Sequence, residues 1–182
     1  CLALTALRPS GRQGRVRRRF LSAVTPEGLS FCTETAAAVC GRVYVLEDSY
    51  GLAPALLQRV LEQALQLGQT CLVCYTPLQP DGAPAHLLVP GAGAAFVASS
   101  PDFPYAGERC CTLELDGTLP PAARDTLHFA RDTAGTLLRK AAEHVREAKR
   151  IHDELEALCR PYVDFAAADA LTERTLHELF PA

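Results

Sequence analysis

Two hydrophobic periods divide this chain. Short apolar runs occupy its first two thirds: RVYVLE (42–47), which is apolar on both faces, TCLVCY (70–75), HLLVP (86–90), AAFVAS (94–99) and a further candidate, CCTLEL (110–115). Such runs predict strands covered on both sides, as in a mainly parallel sheet. FLSAVTPEGLSFC (20–32) predicts two shorter strands around the turn Thr25-Pro26-Glu27-Gly28. Pro26 presets a turn φ, and Gly28 tolerates the positive φ that closes it. ETAAAVC (34–40) reads as a weak helix or a connector.

From Pro54 the period changes to that of a helix, with Leu57, Val60, Leu61, Ala64, Leu65 and Leu67 on one face. Pro54 falls early, where a missing N–H is harmless, and Gly68 is placed to end the helix. A strand, a helix and a further strand in succession predict a βαβ unit within an α/β fold.

The last third is helical throughout. After Thr118, a candidate cap, apolar residues recur at Leu127, Ala130, Ala134, Leu137, Ala141, Val145, Ala148, Ile151, Leu155 and Leu158. Steps of three and four sustained this long predict a helix of roughly 50 Å, at ~1.5 Å per residue. Its apolar stripe reads as core or interface. Arg160-Pro161 breaks it, and AADALTERTLHELF supplies a short second helix ahead of Pro181.

Composition changes this picture in two places. The net charge of −3 hides an arginine-rich opening, residues 1–19, with Arg8, Arg12, Arg15, Arg17, Arg18, Arg19 and no acid. The remaining 163 residues carry 12 basic and 21 acidic side chains. Pro9, Ser10, Gly11 and Gly14 punctuate the opening, which therefore reads as a linker or arm, with the folded domain at 20–182 and its helical part at 118–182. Nucleic-acid binding by this arm is a lesser expectation. No stretch has the ~18 apolar residues of a membrane span.

Eight cysteines raise the question of disulfides or metal. Cys71 and Cys74 have redox spacing but lie within a strand, where residues three apart face opposite ways. Cys110 and Cys111 are adjacent, and no second pair completes a zinc site. The cysteines read as small core residues in a reducing, cytoplasmic setting, with no metal expected.

The segment LEDSYGLAPALL (46–57) joins a strand to a helix through a glycine, as phosphate-binding loops do. Aligned on G-x-x-x-x-G-K-[ST], Gly51 takes the second glycine position, but Leu46, Leu52 and Ala53 replace the first glycine, the lysine and the hydroxyl. Glu47 and Asp48 put negative charge where a polyphosphate would rest; at ~4 Å, like charges repel by roughly 1 kcal/mol even in water.

From about Arg19 onward the chain resembles an uncharacterised bacterial family of P-loop ATPase-like proteins built from two tandem repeats. The resemblance runs through FLSAVTPEG, RVYVLE, the helix to Gly68, VCYTPLQPDG…HLLVPGAGAAFVAS and the tail AAEHVREAKRIHDELEALCRPYVDF…ALTERTLHELF. Its most specific parts are the TP-E-G turn, PL-P after the second strand, and Ala148-Lys149…His152-Asp153-Glu154. The family has an intact phosphate loop after its first strand, whereas here only Gly51, with Ser49 beside it, carries over as a vestigial site. The resemblance implies a P-loop NTPase-like fold, and the departure of this loop from the family pattern leads to the expectation of a non-catalytic half-domain with no catalytic residue and no cofactor, a structural or regulatory partner of an upstream ATPase repeat or of a second copy through the long helix. It also implies that the arginine-rich arm is the connector from a preceding repeat, consistent with the lack of methionine. The alternative is an ATPase that binds ATP and Mg²⁺ with a cation recruited from Arg42, Arg59 or a partner.

Other chemistry-bearing residues are sparse. Lys149, His152 and Asp153 are candidates on the long helix, yet neighbours on a helix diverge by ~100° and need a third group to share a substrate atom. His86, His128, His144 and His177 show no ligand spacing. Ser99 and Ser100 end a strand where α/β sheets bind ligands, with Asp102 the nearest acid.

Overall fold

The structure is a computed structural model that describes residue 11 and residues 13–180. Among the described residues, eight strands and four α-helices follow one another in the order β1 Arg15–Phe20, β2 Ser22–Thr25, β3 Gly28–Phe31, α1 Thr33–Cys40, β4 Arg42–Glu47, α2 Ala53–Gln66, β5 Thr70–Tyr75, β6 His86–Val89, β7 Ala94–Ser99, β8 Cys111–Glu114, α3 Pro121–Cys159 and α4 Phe165–Leu179. The chain divides into two compact units after Val145.

In the first unit, six strands form one sheet in the order β1-β5-β6-β7-β4-β8, and β2 and β3 make a separate hairpin. β1 runs parallel to β5, and β4 runs parallel to both β7 and β8. β6 is antiparallel to both of its neighbours. The sheet is therefore mostly parallel, with one reversed strand. Chain length explains the reversal: residues 76–85 contain no helix, and a parallel return needs a crossover of a dozen or more residues. A short 3-10 turn, Pro90–Ala92, then folds β6 directly onto β7.

Each face of the sheet has its own core. Leu57, Val60, Leu61 and Ala64 of α2 pack over Leu46, Cys71, Val73, Leu87 and Phe96. On the other face, Ala36 and Cys40 of α1 join Val43, Val45, Cys74, Leu88, Ala95 and Val97. Cys71 and Cys74 thus lie in different cores, as the strand period requires. Burial raises their thiols to about 11 and about 12, which makes both inert at neutral pH. The seven cysteines among the described residues are free thiols, and the core reading fails for four of them: Cys40, Cys71 and Cys74 are buried, but Cys32, Cys110, Cys111 and Cys159 are exposed.

Helix α2 ends as its sequence predicts. Gly68 sits at φ 72°, its N–H donates to Leu65 O, and the Gln69 N–H reaches back to Ala64 O. Those two bonds are the Schellman closure. Thr118 does not cap α3: it lies in a 3-10 turn, Asp116–Thr118, with its hydroxyl on Leu115 O, and the helix starts at Pro121. Arg15 to Arg19, expected in a linker, instead form most of edge strand β1. The expectations for Arg8 and Arg12 lie outside the described residues.

The second unit consists of the end of α3, a 3-10 turn at Arg160–Tyr162, and α4. Asp164 caps α4 by accepting the Ala167 N–H at 2.9 Å. Every described residue from 146 to 180 is exposed. The apolar stripe of this unit, including Ile151, Leu155 and Leu158, is therefore uncovered. No helix among the described residues is long and apolar enough to cross a membrane.

Candidate functional site

Strand β4 lies at the sheet's switch point. The chain leaves it through α2 to β5, three positions away, returns through β6 and β7 to its flank, and then crosses to β8 on its other side. In open α/β sheets, ligands bind outside the carboxyl ends of strands at such a point. Here that rim is built from Glu47-Asp48 at the end of β4, Ser99-Ser100 at the end of β7, and Leu115-Asp116 after β8. Backbone bonds tie the three together: Asp48 N–H donates to Ser99 O at 2.8 Å, and Leu115 N–H donates to Glu47 O at 3.0 Å.

The loop from Asp48 to Leu52 turns its amides inward, but onto the protein's own carboxylates. Asp48 Oδ1 accepts from Tyr50 N at 3.2 Å and from Leu52 N at 2.8 Å, and its Oδ2 accepts from Ala53 N at 2.7 Å. Ser49 N donates to Asp116 Oδ1 at 2.8 Å. Asp48 is buried. Four donors of the strand-to-helix turn, the amides of Ser49, Tyr50, Leu52 and Ala53, are thereby satisfied, including the first amide of α2. An internal anion occupies the place where helix N-terminal amides and the helix dipole would receive an external one.

Gly51 itself is exposed, with φ 78° and open space around its missing Cβ. Its conformation, and no close approach, accounts for the glycine.

The cations proposed as substitutes for the missing lysine do not reach the loop. Arg42 is at the opposite end of β4, where its guanidinium donates to Ala92 O at 2.6 Å and Gly93 O at 3.4 Å. Arg59 is exposed on α2. The cation at the rim is one the sequence did not single out, Arg109, which pairs with Glu47 Oε1 at 3.5 Å and donates to Tyr105 O.

Ser99 and Ser100 are also committed. Their hydroxyls accept the amides of Tyr105 and Phe103 and shape the loop after β7. Asp102 faces α3: its carboxylate lies against Gly135, where a Cβ would come within 2.8 Å of both oxygens, and it pairs with Arg139 at 3.2 Å. Asp102 therefore helps seat α3 and does not face the β4 loop's amides.

Lys149, His152 and Asp153 belong to the second unit. Lys149 Nζ contacts both oxygens of Asp153, at 2.9 and 2.6 Å, and this bond holds the Asp153 carboxyl below the usual range. His152, Asp153 and Glu156 bring one ligand atom each within 4.8 Å of one another, all on an exposed helix surface. Glu156 supplies the third group, although Asp153 is already neutralised by Lys149. Exposed helical pairs of this type contribute little to stability, so Lys149→Ala should leave the thermal unfolding midpoint within measurement error in a calorimetric scan. A clear drop would show that the pair anchors something beyond its own helix.

One buried ionisable group had no role in the sequence reading. His86, on β6, accepts the Ala98 N–H at Nδ1 (3.1 Å) and stacks on Phe31 with ring centroids 5.0 Å apart. Burial lowers its pKa to about 4, so it is neutral in the folded protein at physiological pH. No family model matches the chain, and no curated protein or solved structure matches it.

Proposed function

We propose that this chain is a non-catalytic half-domain of the P-loop NTPase kind, in which the phosphate loop has become a structural joint between β4 and α2. It serves as a structural or regulatory partner of an ATPase repeat. One observation carries this reading: the Asp48 carboxylate sits on the amides of Tyr50, Leu52 and Ala53. A triphosphate would have to expel a buried carboxylate from three hydrogen bonds, with Glu47 and Asp116 close by and no lysine to offset the charge. The strand–loop–helix at a switch point supports the resemblance to a phosphate-binding architecture. The replacement of phosphate by Asp48 supports the loss of its chemistry.

The test is calorimetric titration of the chain with ATP and Mg²⁺. No saturable heat is expected up to millimolar nucleotide, and the thermal midpoint should not move. Because a ligand at 100 times its dissociation constant stabilises by about 2.7 kcal/mol, even weak specific binding would register as a shift. Saturable binding of ATP would overturn the proposal, most directly if Gly51→Ala abolished it.

A further inference from the structure

The outer edge of the sheet carries a second candidate site, distant in strand order from the β4 loop. Among the described residues, β1 is the terminal strand of its sheet and pairs with β5 alone. Arg15 N–H donates to Gln69 O, so Arg15, Arg17 and Arg19 direct their peptide groups toward β5. The alternation of a parallel pair then turns the N–H and C=O of Val16, Arg18 and Phe20 to the open side. Among the described residues nothing pairs with that edge.

Side chains on β1 alternate just as sharply. By register, Arg15, Arg17 and Arg19 share a sheet face with Thr70, Leu72 and Cys74. Arg15 and Arg17 line a half-open cavity of about 910 Å³ with Gln13, Gln69, Thr70 and Gly91. None of the three guanidiniums has an ion-pair partner among the described residues; Arg19 donates only to the carbonyl of Arg18. The opposite face is different. Arg18 is held by Asp81 at 2.9 Å and lies 4.5 Å from the Tyr75 ring centre, while Val16 and Phe20 are 45% and 56% exposed.

We propose that the β1 edge binds an extended acidic segment of another protein, added to the sheet as a further strand. Three observations converge on this occupant. The edge offers main-chain donors and acceptors in register, which is how a sheet captures a peptide. The unpaired arginines recur at every second residue, roughly 6.6 Å apart at ~3.3 Å per residue. An added strand repeats its side chains at the same interval, so aspartates or glutamates at alternate positions each stand opposite a guanidinium. The exposed Val16 and Phe20 then receive the apolar side chains that alternate with those acids.

The same arginines determine what the edge rejects. A second β1 edge would bring guanidiniums against guanidiniums, which is how natural sheets prevent edge-to-edge aggregation. Repulsion of its own kind and attraction of acids together give the edge its specificity. A nucleic-acid strand would satisfy the charges but not the open peptide groups, so the extended acidic peptide is the better fit.

The experiment uses the full chain and a labelled, end-capped peptide of alternating aspartate and valine, with binding read by fluorescence anisotropy at low and high salt. Saturable binding is expected, weakened by salt and reduced about tenfold or more in the Arg15→Glu/Arg17→Glu variant. Arg15→Gln/Arg17→Gln, which keeps the side-chain size, should give an intermediate loss and guards against misfolding of the reversed variant. Amide hydrogen exchange at Val16, Arg18 and Phe20 should slow when the peptide is bound. A peptide with proline at alternate positions keeps the charge but cannot donate to the edge, and it should bind much more weakly. Equal binding of the proline peptide, tighter binding of a single-stranded oligonucleotide, or no saturable binding would each overturn the proposal.

Discussion

Asp48→Ala is expected to lower the stability of the first unit by about 2–4 kcal/mol, because it strands three inward-facing amides at the start of α2. The carboxylate is buried and accepts from Tyr50, Leu52 and Ala53 at 2.7–3.2 Å. Each buried donor left without an acceptor costs about 1–3 kcal/mol, and water entering the space offsets part of the total. Asp48→Asn retains one acceptor oxygen but turns an amide group toward donors, so its loss should be smaller without vanishing. Denaturant unfolding of the three proteins measures the differences, and hydrogen exchange at Leu52 and Ala53 locates them. Wild-type stability in Asp48→Ala would show that the carboxylate is not holding the loop. The variant also tests the vacated amides: inorganic phosphate should raise its thermal midpoint and leave that of the wild type unchanged.

Acid sensitivity from His86 is the second large effect. Burial lowers the pKa in the folded state to about 4, from an ordinary histidine value of 6.5. Above pH 6.5 the imidazole is neutral in both states, and its contribution to stability is fully present. As pH falls from 6.5 toward 4, the unfolded chain takes up a proton that the folded chain refuses, so the equilibrium moves toward unfolding. Each pH unit inside this window costs roughly 1.4 kcal/mol, and the whole passage costs about 3 kcal/mol. Below pH 4 the folded protein protonates too and the loss stops growing. His86→Gln keeps an acceptor for the Ala98 amide and removes the titration. The difference in unfolding free energy between wild type and variant should therefore narrow or reverse from pH 7 to pH 4. Acidic side chains shift both proteins alike, so parallel profiles would rule out His86 as the source.

The hairpin at Pro26-Glu27, the five apolar strands, helix α2 with its closure at Gly68, and the break in the long helix at Arg160 were all legible in the chain. Each depends on local periodicity or on one residue's backbone preference. The direction of β6 was legible in principle from the length of 76–85, since ten residues without a helix cannot make a parallel return. β1 was hidden because glycines nearby and a run of charge resemble a linker, whereas its strand character comes from pairing with β5. The rim showed the same pattern. Glu47 and Asp48 signalled that a polyphosphate would be repelled, but not that the Asp48 carboxylate reaches forward to the amides of Tyr50, Leu52 and Ala53.

Residue order alone therefore settled most of the strands and helices, that the central strands are covered on both faces, and that no lysine stands beside Gly51. Those properties follow from side-chain period, from the special backbone freedom of glycine and proline, and from simple presence. Packing in three dimensions settled which carboxylate meets the loop amides, that Asp102 turns to α3, that His86 is dry, and that Arg15, Arg17 and Arg19 have no ion-pair partner among the described residues. Hydrogen bonds and ion pairs between segments distant in sequence depend on strand order and register, which no local pattern encodes.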